Sequence, residues 1–313
     1  MKKILCIGSI TTDIIVTPVD SVPDPGTLRA VKGISQHVGG CAANAAMALG
    51  KLGVPSALSC LVGNDAMGDF VRREIGATGV DVSGVKGGET ATTVSVVCVS
   101  SKGERSFLYN PGSSAVFRAE DVPDELIEAC DIIFVAGAML LSAFDGAPCA
   151  ALLHRARQLG KLTVMDTAWD FDNVWLPKIA PALRELDIFM PSIDEARKLT
   201  GEQDHRQVAR ALRGLGAKNV IIKLGADGAY MLTESGDELV SPTYREIKPV
   251  DTTGAGDSFC AGFLAGLAQE LSFSESLAIG NAVGTACISA VGASTGIRSL
   301  EETREFMRTH TAE

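Results

Sequence analysis

Asp251-Thr252-Thr253-Gly254-Ala255-Gly256-Asp257-Ser258-Phe259 is the stretch on which the reading of this chain turns. Upstream, Val220-Ile221-Ile222-Lys223 predicts a short buried strand, and Ser241 to Val250 predicts a connection. Downstream, Phe259 to Leu267 is apolar, small and free of proline, which predicts a helix. The glycine-rich turn therefore opens a helix. Gly254 and Gly256 can take backbone angles that other residues avoid. Their amides, with those of Ala255 and Asp257, can converge on one point. Unpaired amides and the positive end of the helix dipole make such a point an anion site. Asp257 runs against that logic, because a carboxylate repels an anion. A phosphoryl transferase has a use for it, since some group must accept the proton of the attacking hydroxyl. The competing reading is that Asp257 only favours a first helical turn, as Asp often does. On this stretch alone the two readings are evenly matched.

The chain around it bounds the class. Its 313 residues could hold one large domain or about two ordinary ones, enough to bury a sizeable core. The net charge of −10 argues against general binding to nucleic acid or anionic membranes, which needs a basic face, but not against ATP, whose phosphates are met locally. Eight cysteines lie scattered with no Cys-x-x-Cys pair, so neither a zinc site nor a redox motif is indicated. Most sit in apolar strings and read as small buried side chains of a cytoplasmic protein. The apolar start ends at Gly8 and Asp13 follows, so a first strand is expected there rather than a signal peptide. The longest apolar run, Ile132 to Leu141, is about half a membrane span.

In chain order, Ile4 to Gly8 predicts a buried strand. Asp13 is flanked by apolar residues at the end of that strand, where open α/β sheets place ligands; it reads equally as a turn residue or cap. Val19 to Gly33, rich in Pro, Gly and Asp, predicts an excursion. Gln36 to Gly50 follows: a glycine turn at Gly39-Gly40 opens a helix of small residues in which Asn44 is the one polar side chain near the start. Asn44 is either a ligand contact or a helix-start cap. Ser56 to Gly68 reads as strand, turn and helix start. Ala91 to Ser100 and Arg105 to Tyr109 alternate like two strands joined at Lys102-Gly103-Glu104. From Ile132 onward strands (132–136, 162–165, 188–190, 220–223, 228–232) alternate with helices (148–159, 195–200, 207–214), which predicts a mostly parallel sheet with helices on both faces.

Two strings far apart then carry a resemblance. Asp251 to Phe259 with Ala261-Gly262-Phe263, and Gly39-Gly40 with Asn44, resemble the C-terminal and N-terminal signatures of the ribokinase-like (PfkB) carbohydrate kinases. The resemblance runs along the whole chain. It implies a single ribokinase-like domain over 1–313: a three-layer α/β/α core plus a small β-sheet lid, from segments near 14–37 and 90–110, over the sugar site. In that family the lid is often used in dimerisation, so a homodimer is expected.

The resemblance also implies roles. Asp257 would be the base, and the γ-phosphoryl group would lie over the amides of Gly254, Ala255 and Gly256. Asp13, Gly39, Gly40 and Asn44 would bind the acceptor. Lys223, Gly225 and Gly228, in the segment Lys223 to Gly228, would line ATP, with Asn281 on the face approaching adenine. Glu195 would act through Mg2+, although Ser192 stands where the family often has Asn. Asp251 and Thr253 match positions that hold a monovalent cation in many relatives, with carbonyls from the Ser289 to Thr295 region; potassium is the expected ion. Neither a P-loop string nor a Gly-x-Gly-x-x-Gly after the first strand is present.

The expected activity is therefore ATP-dependent transfer to an alcohol, a terminal CH2OH, of a small sugar or sugar acid. The alternatives are a nucleoside kinase, a phosphosugar kinase and a non-catalytic sugar-binding sensor. Arg105 and Arg29 could serve a phosphosugar, but no clear basic cluster accompanies them. Trp169 could wall the sugar pocket or pack on the surface. The four histidines are assigned no role.

Overall fold

Strand β1 (Ile4–Gly8) is buried along its whole length. That is what a central strand of a parallel sheet covered on both faces requires. β2 (Thr11–Thr17) leaves this sheet and pairs antiparallel with β3 (Gly33–Gly39). Then come α1 (Cys41–Lys51), β4 (Ser56–Gly63), α2 (Ala66–Gly76) and β5 (Asp81–Gly88). The hairpin β6 (Val94–Val99) and β7 (Arg105–Asn110) returns to the β2 sheet. Two short helices, α3 (Gly112–Val116) and α4 (Asp124–Ala129), lead back to the core. There β8 (Ile132–Ala138), α5 (Ala147–Gln158), β9 (Leu162–Thr167), α6 (Leu176–Leu183), β10 (Ile188–Phe189), α7 (Ile193–Thr200), α8 (His205–Gly214) and β11 (Asn219–Lys223) alternate. The chain closes with β12 (Ala229–Leu232), β13 (Glu238–Ser241), α9 (Ala255–Ala268), α10 (Phe273–Ile288) and α11 (Leu300–Thr309). These elements are those of a computed structural model that describes residues 1–313.

The strands form two sheets. The large one has nine strands in the order β13-β12-β11-β10-β9-β8-β1-β4-β5; the small one has four, in the order β3-β2-β6-β7. In the large sheet only β12 runs against the other strands, pairing antiparallel with β11 and with β13. Its two faces bury separate apolar layers, one under α1, α2, α9 and α10, the other under α5 to α8. No helix is long and apolar enough to cross a membrane. Six of the eight cysteines, at 6, 60, 130, 149, 260 and 287, are buried and all eight are unpaired.

Three elements differ from the sequence reading. Asp13 lies inside β2 of the small sheet, opposite His37, rather than at the end of β1. The chain bends after Gly8, whose φ of 148° with the Ala136 carbonyl beside it leaves no room for a Cβ. β5, on which the sequence reading made no statement, is a strand despite Gly84, Gly87 and Gly88; its parallel ladder with β4 supplies what local propensity does not. Ser241 ends β13 instead of starting a connection. Helix α7 starts at Ile193, two residues earlier than expected, because Ser192 and Glu195 form a capping box.

Candidate active site

Gly254 caps the start of helix α9; its φ of 73° is left-handed and its absent Cβ would lie 2.7 Å from the Ala293 carbonyl oxygen. Glycine is thus required twice over at this position. The amides of Gly254, Gly256 and Asp257 have no partner in the protein, whereas Ala255 N is drawn back to Thr252 O at 3.3 Å. Of the expected amides, Ala255 is therefore the one already partly spent. The free amides and the helix dipole still favour an anion here.

Asp257 sits in the first turn of α9. Asn44 Nδ2 donates to its Oδ2 at 2.8 Å. Burial pushes the Asp257 carboxyl above the usual carboxylate range, opposed by the Asn44 hydrogen bond and the Lys223 charge. Asn44 is thus no helix cap: it lies on α1, buried, and ties the start of that helix to the start of α9. Its Oδ1 is buried without a partner. An acceptor contact could use that oxygen or the second hydrogen on Nδ2, since only one N–H is spent on Asp257.

Asp13, Gly39 and Gly40 gather beside α1. Thr11 Oγ1 donates to Asp13 Oδ1 at 2.8 Å, and a Cβ on Gly39 would fall 2.1 Å from Asp13 Oδ2. Burial raises the Asp13 carboxyl, opposed by Thr11 and His37. Gly40 caps α1 at φ 90°. Gly39→Ala is expected to push Asp13 aside and lower kcat/KM for the acceptor by about 10²-fold, the scale of an ångström misplacement, while ATP affinity holds. Steady-state kinetics in both substrates would check this, and unchanged acceptor kinetics would remove the contact from consideration.

Lys223 ends β11 and lies between the two halves. Its ammonium meets Asp166 Oδ2 at 2.6 Å, and a Cβ on Gly256 would lie 3.2 Å from its Nζ. The lysine is 12% exposed and Asp166 2%. Although burial alone would lower it, the Asp166 and Glu195 carboxylates hold Lys223 charged and raise its pKa. Asp166 escaped the sequence reading as a site residue. The available signal was its place at the carboxyl end of β9, within an apolar run. Glu195 Oε2 accepts from Thr167 Oγ1 and from the Ser192 amide, each at 3.0 Å. Burial raises its carboxyl, against the charge of Lys223. Ser192, where an Asn was expected, thus keeps Glu195 in place through its backbone and by capping α7.

A cleft of about 660 Å3 opens beside Lys223, lined by Gly225, Gly228, Gly256, Phe259 and Asn281 among others. Gly228 abuts the Ser241 carbonyl, leaving no room for a side chain. Asn281 lines the cleft but spends its Nδ2 on Ser241 O, Ser241 Oγ and Pro242 O, at 2.9, 2.9 and 3.0 Å. Its bonds tie α10 to β13.

Asp251 and Thr253 precede the anion site. Arg105 of β7 reaches them both, its Nη2 2.8 Å from Asp251 Oδ1 and its Nη1 on Thr253 Oγ1. Arg29 is also engaged, on Ser21. Trp169 is 53% exposed and packs edge-on against Trp175, whereas the unremarked Phe171 faces Tyr109 at 6.1 Å.

A free-amide helix start, a buried carboxylate in its first turn and an ammonium beside it form a phosphoryl-transfer geometry. The family model for pfkB family carbohydrate kinases matches residues 1–300. The chain belongs to the pfkB family. It is a carbohydrate kinase, a phosphotransferase with an alcohol group as acceptor. This pfkB kinase is 29% identical over 293 residues to 2-dehydro-3-deoxygluconokinase of Bacillus subtilis, covering 90% of both chains. It is 28% identical over 323 residues to aminoimidazole riboside kinase of Salmonella typhimurium, covering 99% of this chain and 96% of that one. Its fold matches that of Arabidopsis thaliana ribokinase complexed with ribose and ATP, with a TM-score of 0.85 at 24% identity over 97% of this chain and 98% of that one.

Proposed function

We propose that this kinase moves the γ-phosphoryl group of ATP onto a terminal CH2OH of a small sugar or sugar acid. The observation that supports it is the Asn44–Asp257 contact. It joins the helix beside Asp13 to the helix whose amides are free, so the buried carboxylate lies at the seam between an acceptor half and a nucleotide half. ATP would fill the cleft by Gly225, Gly228 and Asn281, with its γ-phosphoryl over Gly254, Ala255 and Gly256 and beside Lys223. Asp257 takes the proton of the attacking hydroxyl as the new P–O bond forms and the bond to the β-phosphate breaks. Such transfer is mostly positioning and charge stabilisation. Asp13, Gly39 and Gly40 orient the remaining hydroxyls, since carboxylates and amides accept and donate in fixed directions.

Magnesium suits the same seam. No three His, Cys, Asp or Glu side chains lie together to hold a metal directly. Mg2+ in phosphate sites keeps several waters, so the Glu195 carboxylate would meet it through water. Bound there, the ion would offset phosphate charge. The lid exposes Ile34, Phe107 and Leu108, apolar area that a second copy of the chain would cover in a homodimer.

A nucleoside acceptor is the second reading, favoured by Tyr109 and Phe171. Tyr109 lies close enough to Asp13 to feel its charge, and this aromatic pair could stack on a planar base. A phosphosugar fits less well, because Arg105 and Arg29 already have partners.

The reading is tested by a mass-spectrometric screen with Mg-ATP against pentoses, hexoses, ketoses, sugar acids, nucleosides and phosphosugars. One sugar gaining a phosphate, and losing that gain in Asp257→Asn, supports it; a nucleoside alone reacting replaces it with the second reading. A sugar that raises the melting temperature without reacting points to a sensor. Asp13→Ala should raise acceptor KM ~10- to 100-fold, the cost of a hydrogen bond to a charged group, and spare slow ATP hydrolysis. An unchanged KM takes Asp13 out of the site.

A further inference from the structure

The Asp251 carboxylate is 2% exposed, and its oxygens are already engaged. Oδ1 accepts from the Thr253 amide at 2.8 Å and from Arg105 Nη2 at 2.8 Å; Oδ2 accepts from the Gly292 amide at 2.9 Å. Burial would raise this carboxyl, but these bonds outweigh it and hold it well below the usual range. Arg105 also donates to Thr253 Oγ1. In the connection between α10 and α11, Lys51 Nζ donates to Ser294 O at 2.6 Å. The carbonyls of Thr253 and Ala293 both face the Cys287 thiol, at 3.3 and 3.2 Å. A potassium ion needs this carboxylate and these carbonyls as ligands. Here the Arg105 guanidinium holds that carboxylate instead, so the residues as they stand do not fit the ion.

We propose that Arg105 is a positioning residue for phosphoryl transfer: from the lid, its guanidinium supplies at Asp251 and Thr253 the positive charge that a monovalent cation would otherwise bring. Arg105 is the first residue of β7, in the sheet that carries Asp13 on β2. Asp251 and Thr253 lie in the loop that ends at Gly254, the start of the anion site. One ion pair therefore fastens the acceptor-side sheet to the loop carrying the phosphate amides. A buried carboxylate needs a counter-charge to stay ionised and in place. When that charge is tethered to the lid, docking the lid also sets the loop. A fork of guanidinium donors fixes direction as well as charge, which a spherical ion does not. The lid and the nucleotide site are then coupled without a diffusing ion. This rests on the reading of the α9 start as the phosphate site.

The test measures the Mg-ATP dissociation constant by calorimetry, and the melting temperature, in chloride salts of potassium, sodium and tetramethylammonium. The wild type should bind within about twofold in all three salts, because its cation is built in. Arg105→Ala should bind ~10-fold more weakly in tetramethylammonium, the loss of about one charge-assisted contact, and potassium or millimolar methylguanidinium should recover it. Arg105→Lys, which keeps the charge and guards against misfolding, should fall between. A wild type that needs potassium, or an Arg105→Ala variant that binds like wild type in every salt, overturns the proposal while the kinase reading stands. No Mg-ATP binding by the wild type in any salt would overturn the kinase reading and this proposal together.

Discussion

Asp257→Asn is expected to lower kcat by about 10²- to 10⁴-fold, the range for loss of a general base, with the dissociation constant for ATP nearly unchanged. The asparagine carbonyl can still accept from Asn44 Nδ2, so the 2.8 Å contact and the packing of α1 on α9 survive. What is lost is the proton acceptor. The stability readout separates this from a folding defect. Burial raises the folded-state pKa of Asp257 above its unfolded value. A raised carboxyl favours folding only where it is protonated; that contribution is present at low pH and is lost as pH rises through the folded pKa. At neutral pH the ionised group is therefore a cost to folding, and removing it should leave the melting temperature equal or higher. The same shift predicts an acidic limb in the pH dependence of kcat/KM above the ordinary Asp range, because activity needs the ionised base. Retained turnover in the folded variant would remove Asp257 as the base.

Lys223→Met is the second large effect, and it should act on stability and catalysis together. The ammonium is the counter-charge to Asp166 at 2.6 Å and stands near Glu195 and Asp257. Removing one member of a buried pair costs about 3–5 kcal/mol, chiefly because the other charge is stranded. Transfer should fall by ~10²- to 10³-fold as well, the worth of one preorganised charge-stabilising donor. A second substitution sorts the two effects. In Lys223→Met with Asp166→Leu no buried charge is stranded by the lost pair, so the melting temperature should recover. Activity should not, because the positive charge beside Gly256 is still missing. Full catalytic recovery in the double variant would mean that Lys223 serves the fold and not the phosphate.

The kind of fold and the glycine turn that opens α9 were legible where the signal is local. A Gly-x-Gly-Asp turn before an apolar helix needs only backbone sterics and a dipole to be read as an anion site, and α9 starts one residue before Gly256, as such a reading requires. The alternation of buried runs with helical stretches after Ile132 is likewise local, and it corresponds to the parallel strands β8 to β11. Element ends set by ladders were misplaced. Ser241 pairs with Ala229 at the end of β13, and Asp13 lies on β2 because the chain turns at Gly8.

What could not be read along the chain is which side chains meet. Asn44 and Asp257 are 213 residues apart, Arg105 and Thr253 are 148 apart, and Lys223 and Asp166 are 57 apart. Residue type and spacing determined that the chain would build a glycine-turn helix start with a carboxylate in its first turn, because that motif is made of neighbours. Folding decided that the carboxylate is buried against an amide from α1, that an ammonium stands beside the amides, and that the Asp251 carboxylate is matched by an arginine from the lid. Those outcomes depend on distance and desolvation, and both exist only once the two sheets and their helices have packed.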